Sequence, residues 1–149
     1  MAGIVFYFED YDSDVWSGRD IDMDAWKYSV NASMDVDKII IINKTKESIK
    51  WFDHTMDIQV VTELPKLEGH VTQLVTPSEM VLYNKDSNSL WDFNHETDWY
   101  VFGPAIGWGG NHFGDTLLSI PNNNNVHHHS VFIGTIVLYH RYEKLKNNL

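Results

Sequence analysis

The chain has 149 residues, 43% hydrophobic and 13% aromatic, which suits one packed domain and excludes a disordered tail. Its 11 Lys and Arg against 21 Asp and Glu leave a formal net charge of −10, so a nucleic-acid partner would need a basic patch held locally or supplied by another chain. With no cysteine, disulfides, thiolate metal sites and cysteine nucleophiles are excluded. No run approaches the ~18 apolar residues that span a bilayer. The opening "MAGIVFYFEDYD" turns acidic too early for a secretion signal, so the expected location is the cytoplasm.

The elements follow in chain order. "GIVFYF", residues 3–8, is a β-branched and aromatic run that predicts a buried strand. The acids then cluster in residues 8–26, "FEDYDSDVWSGRDIDMDAW", before "DMDAWKYSVNAS", residues 22–33, where Asp22 suits the N-cap of a helix. "DKIIIIN", residues 37–43, predicts a second apolar strand and completes a β-α-β unit. "ESIKWFDHT" reads as a short helix, "DIQVVTEL" as a third strand, and "GHVTQLVTP" as a fourth that stops at Pro77. "SNSLWDFN" predicts a helical turn, while "DWYVFG", residues 98–103, and "TLLSIP", residues 116–121, are strand-like. The last segment, residues 128–145, predicts a helix, with Val131, Phe132, Ile136, Tyr139 and Leu145 on spacings close to 3.6. Within it "HRYEKLK", residues 140–146, forms a basic spot, and its Arg141 is one of only two arginines, the other being Arg19.

Apolar strands alternating with helices predict an α/β domain with a mostly parallel sheet covered by helices on both faces. Neither an internal repeat nor a linker is visible, so residues 1–149 read as one domain. Ligands of open α/β sheets sit beyond the carboxyl ends of the strands, here "FED", "LVTP", "FGPAIGWGG" and "SIPNNNNVHHH".

Four patterns bear on chemistry. Neutral imidazoles bind zinc, but of the adjacent His127, His128 and His129 at most two can reach one ion, and no motif-spaced His or Cys completes a set. A polar loop closing onto a helix is the alternative, and no metal site is assigned. "FGPAIGWGG" follows a strand yet has neither GxGxxG spacing nor a P-loop ending, so its glycines serve either a turn or a close approach to something flat. Asn122–Asn125 fit turn formation or ligand hydrogen bonds equally. The acids between Asp10 and Asp24 lack EF-hand spacing and read as a solvated loop, and Ser130 lacks the G-x-S-x-G elbow of a triad serine.

Taken in order, "DWYVFGPAIGW", "LLSIP", a polar loop and "SVFIGTIVLYHRYEK" resemble the C-terminal half of the SPOUT superfamily of methyltransferases. The similarity is greatest to the small single-domain members that 2′-O-methylate the wobble position of tRNA; "IVFYFED" also looks like their first strand. The resemblance implies a C-terminal deep trefoil knot and a site for S-adenosylmethionine wrapped by three loops, largely through backbone groups. Carried over by position, Leu74, Gly103, Ile120 and Pro121 would line the adenosine pocket. His127 and His129 stand where the family has the serine and asparagine of Ser-x-Asn, allowing for a loop one residue shorter. The final helix, with Tyr139, would pack in a homodimer interface.

This sequence also departs from the family. The glutamate after "FGP" is Ala105, the Ser-x-Asn pair is histidine, and Asn-x-Gly-x-x-x-Arg is missing, its arginine falling near Lys27. Lysine keeps the charge but loses the planar fork that grips phosphate. The reaction implied is attack of a ribose 2′-hydroxyl on the sulfonium methyl, with His129 as base and Lys27 steadying the phosphate or helping deprotonation. Two alternatives stand beside it. One is a degenerate family member that binds the cofactor, or only dimerises, without methylating RNA; the other is a zinc-dependent hydrolase centred on the histidines.

Overall fold

The computed structural model describes residues 2–7, 36–42, 57–76, 87–103, 108–120 and 130–147. These form strands β1 (Ala2–Tyr7), β2 (Val36–Ile42), β3 (Asp57–Val61), β4 (Val71–Leu74), β5 (Ser87–Ser89), β6 (Trp99–Phe102) and β7 (Thr116–Ser119), followed by helix α1 (Ser130–Asn147). All seven strands join one sheet in the order β3-β2-β1-β6-β4-β7-β5, and every pairing is parallel. The fold is therefore α/β with a parallel sheet. The helices expected at residues 22–33 and 47–55 lie outside the described residues.

Strand order departs sharply from chain order. β6 enters between β1 and β4, and β7 enters between β4 and β5, so each later strand fills a gap left by earlier ones. β4 is consequently central and buried along its whole length, Thr72 and Gln73 included. This corrects the expectation of strands apolar throughout, because two polar side chains are fully enclosed and must find partners inside.

The period of two sorts side chains between the faces. Ile4, Ile39, Ile41, Leu74, Tyr100, Phe102 and Leu118 share one core with Val137 and Leu138 of α1. Val5, Ile40, Ile42, Val71 and Val101 form the other, covered by Leu64, Leu67, Trp108 and Phe113 from connecting segments. Fully burying an aliphatic side chain of this size contributes about 1.5–3 kcal/mol, so the alternating strands supply most of the cohesion.

Two local expectations are corrected. "SNSLWDFN" is not simply a helical turn: Ser87–Ser89 pairs with β7 as the edge strand β5 before a 3-10 turn at Leu90–Asp92. On α1 the face against the sheet runs through Ile133, Val137, Leu138 and Arg141, whereas Ile136 and Tyr139 are exposed. The hydrophobic spacing marks a helix correctly, but of the residues it picks out Ile136 and Tyr139 point away from the buried stripe. No helix among the described residues is long and apolar enough to cross a membrane.

Candidate functional site at the carboxyl edge of the sheet

Parallel pairing brings all strand carboxyl ends to one edge, where α/β sheets place their ligands. Leu74 ends β4, Gly103 directly follows β6, and Ile120 directly follows β7. Because β6, β4 and β7 are neighbours, these three expected pocket residues stand side by side. The Leu74 side chain turns into the α1-side core, and Ile120 packs against that core half-buried. Pro121, His127, His129 and Lys27 lie outside the described residues.

Among the described residues one side chain dominates this edge. The indole Nε1–H of Trp108 donates to the Leu74 carbonyl at 2.6 Å. Its ring also lies over Gly103, where a Cβ would come within 2.5 Å of Cε2. Glycine is therefore required there by close approach rather than by backbone angle. Tyr7 and Phe113 meet the indole edge-on at 5.5 and 5.2 Å between centroids, and Val75 and Leu117 pack beneath it. Burial among these rings pushes the Tyr7 hydroxyl pKa upward.

Gln73 fixes the segment that carries Trp108. Its Oε1 accepts from the backbone N–H groups of Phe113 and Gly114 at 2.9 and 3.0 Å, and its Nε2 donates to the Asn111 carbonyl at 3.0 Å. The buried amide so replaces the backbone partners that a loop would otherwise find in water. Between Trp108 and this anchor, Gly109 and Gly110 adopt φ of +61° and +85°, which side chains bearing a Cβ rarely take. At the opposite edge, Val71 and Asp115 exchange bonds of 2.8 Å, the Asp115 carboxylate accepting from Val71 N–H and its own N–H donating to the Val71 carbonyl.

A second polar cluster lies between the sheet and α1. The buried Arg141 donates through Nη1 to the Tyr100 hydroxyl and to the His95 carbonyl, each at 3.1 Å. The Tyr100 hydroxyl lies 2.6 Å from His95 Nδ1, and His95 Nε2 lies 2.7 Å from His140 Nδ1. Since the tyrosine oxygen already accepts from Arg141, its own proton points to Nδ1, making His95 the Nε2–H tautomer that donates to His140. Burial, then the charges of His140, Arg141 and Lys144, lower the His95 pKa to about 3. Burial raises Tyr100 to about 12 against the opposing pull of Arg141, and burial followed by Lys144 lowers His140. Arg141, expected within a basic surface spot, is instead a buried donor and is not exposed to phosphate.

Among the described residues no three His, Asp or Glu side chains gather as metal ligands. Sequence reasoning missed Gln73 and Trp108. The available signal for the latter was an aromatic residue set among glycines in "FGPAIGWGG". For Gln73 it was a lone amide inside an apolar strand.

No family model matches the chain, and no curated protein matches it. Several solved structures do. A probable methylase family protein from Haemophilus influenzae Rd KW20 aligns with a TM-score of 0.65 at 12% identity, covering 99% of this chain and 68% of that one. A protein assigned as an RNA methyltransferase from Bacillus anthracis aligns at 0.62 with 14% identity, covering 98% and 95% respectively. A third, studied for 2-OH methylation of C/U34 on tRNA, aligns at 0.58 with 13% identity, covering 98% and 97%. At these identities the likeness is one of fold: along nearly its whole length this chain shares the architecture of proteins described as methylases, two of them in connection with RNA.

Proposed function

We propose that the chain is an S-adenosylmethionine-dependent ribose 2′-O-methyltransferase of the SPOUT type acting on RNA, tRNA being the favoured substrate. The observation that carries this reading is the alignment of Leu74, Gly103 and Ile120 on three adjacent strand ends, in a sheet matched by three methylase-related structures. This reading includes a C-terminal trefoil knot within a single domain, with which the insertion of β6 and β7 between earlier strands is compatible. The residues present fit the nucleoside: a strand-end carbonyl and a side-chain-free glycine already hold a flat bicyclic ring with an N–H donor. Bound there, the cofactor would supply an electrophilic methyl group.

Leu74 would accept a hydrogen bond through its carbonyl, Gly103 would let the ring approach, and Ile120 with Pro121 would close the apolar wall. His127 and His129 would follow Pro121 toward the reacting end. His129 would take the proton of the 2′-hydroxyl, and Lys27 would hold the adjoining phosphate. The exposed Ile136 and Tyr139 on α1 suit the expected homodimer contact, and a second copy in the cytoplasm could then add basic surface.

A second reading, a fold relative that no longer methylates, is favoured by the indole lying over Leu74 and Gly103 and by the burial of Arg141 within a chain of net charge −10. Calorimetry with S-adenosylhomocysteine, followed by methyl transfer to unmodified tRNA, separates the two. Binding with transfer supports the enzyme, binding without transfer the degenerate protein, and absence of both removes the cofactor reading.

A further inference from the structure

We infer that Trp108 is a built-in competitor for the nucleoside site, so that its indole must leave the Leu74 carbonyl before an adenine can enter. The inference rests on the reading of this edge as a cofactor site and adds its regulation. Of the three described residues expected at the base, two, Leu74 through its carbonyl and Gly103 through its bare Cα, are engaged by one side chain of this same chain. The geometry of that engagement is that of a ligand. An indole is a planar fused bicycle with one edge N–H donor, and adenine is a planar fused bicycle with an exocyclic amine at its edge. The slot therefore selects flat bicyclic donors, and the chain supplies one itself.

The surroundings place the indole in competition rather than in partnership with a base. Tyr7 and Phe113 meet it edge-on, Val75 and Leu117 pack against it, and the Gly103 backbone lies close against its Nε1, Cε2 and Cζ2 atoms. A carbonyl that accepts the indole N–H at 2.6 Å has that direction filled. Gly109 and Gly110 follow with left-handed backbone and nothing within 4 Å of where a Cβ would stand, so the chain beside Trp108 has room to turn. Gln73 holds residues 111–114 on β4, which leaves the two glycines as the joint between a fixed anchor and the indole. Apparent affinity then falls by the fraction of molecules in which the indole has moved aside.

The test uses S-adenosylhomocysteine binding by calorimetry on the full chain, comparing wild type with Trp108→Ala and Trp108→Phe, with melting curves to check folding. If the indole is withdrawn in one molecule in ten, Trp108→Ala binds about tenfold tighter than wild type. Trp108→Phe, which keeps a ring but loses the N–H, falls between them and carries the comparison if the alanine variant does not fold. Ligand binding should also red-shift tryptophan emission of the wild type, and the shift should vanish in Trp108→Phe. Equal or weaker binding by the folded variants overturns the competitor and leaves the cofactor reading standing. No binding by any of the three proteins overturns both.

Discussion

His95 Nε2 sits 2.7 Å from His140 Nδ1, and the Tyr100 hydroxyl on the other side of His95 is itself bonded to the buried Arg141. The chain from Arg141 to His140 works only while His95 is neutral, because Nδ1 must accept from the tyrosine. Its folded pKa of about 3 lies below the ordinary 6.5. The unfolded chain therefore binds a proton that the folded chain refuses as pH falls below 6.5. Stability present above that pH should fall toward pH 3 by up to about 1.4 kcal/mol per pH unit for this one proton. Denaturant unfolding at pH 7.5, 6 and 5 measures the slope. His95→Asn, a residue that tolerates the φ of +63° here, should flatten it; an unchanged slope would place the titration elsewhere.

Tyr100→Phe removes the hydroxyl that receives Arg141 and supplies His95, leaving both with an unmet buried group. Stability should drop by about 1–3 kcal/mol at pH 7.5, read from urea midpoints at constant slope. A change under half a kcal/mol would mean that water replaces the hydroxyl.

Gln73→Leu keeps the volume on β4 but strips the partners from Phe113 N–H, Gly114 N–H and the Asn111 carbonyl. We expect a loss of about 1–3 kcal/mol, with faster hydrogen exchange at the amides of Phe113 and Gly114. If the indole competes with the nucleoside, the loosened loop should also bind S-adenosylhomocysteine more tightly.

For catalysis, His129→Ala should reduce methyl transfer to unmodified tRNA by about 10²–10⁴-fold, the usual contribution of a positioned base, while binding of S-adenosylhomocysteine persists. Unchanged transfer would remove His129 from the mechanism and return attention to Lys27.

Tyr139, 65% exposed and stacked on Tyr142 at 6.5 Å, presents an aromatic face outward from α1. Tyr139→Asp should shift sedimentation from dimer to monomer. A wild type that already sediments as a monomer would argue against the helix as an interface.

The strands were legible because their cause is local. Apolar β-branched runs such as "DKIIIIN" bury on both faces of a parallel sheet, and β3, β4, β6 and β7 fall within the runs that predicted them, while β1 and β2 each start one residue before theirs. β5 was not legible: "SNS" carries no apolar signal and is a strand only because β7 offers it a free edge. Leu74, Gly103 and Ile120 were picked out through a resemblance in short motifs. That they stand beside one another depends on β4 lying between β6 and β7.

Sequence by itself determined six of the seven described strands, the last helix, the class of fold and the lack of cysteine chemistry, since each follows from composition or from neighbours a few residues apart. Only the tertiary structure decided what those elements enclose. The Leu74 carbonyl and the Trp108 indole are 34 residues apart, and Arg141 is 46 from the His95 carbonyl it binds. Arg141 read as surface charge because lysines follow it in the chain, and it became a buried donor because the Tyr100 hydroxyl and the His95 carbonyl met it across the core. Desolvation and hydrogen-bond satisfaction are settled by such distant partners, and no local pattern encodes them.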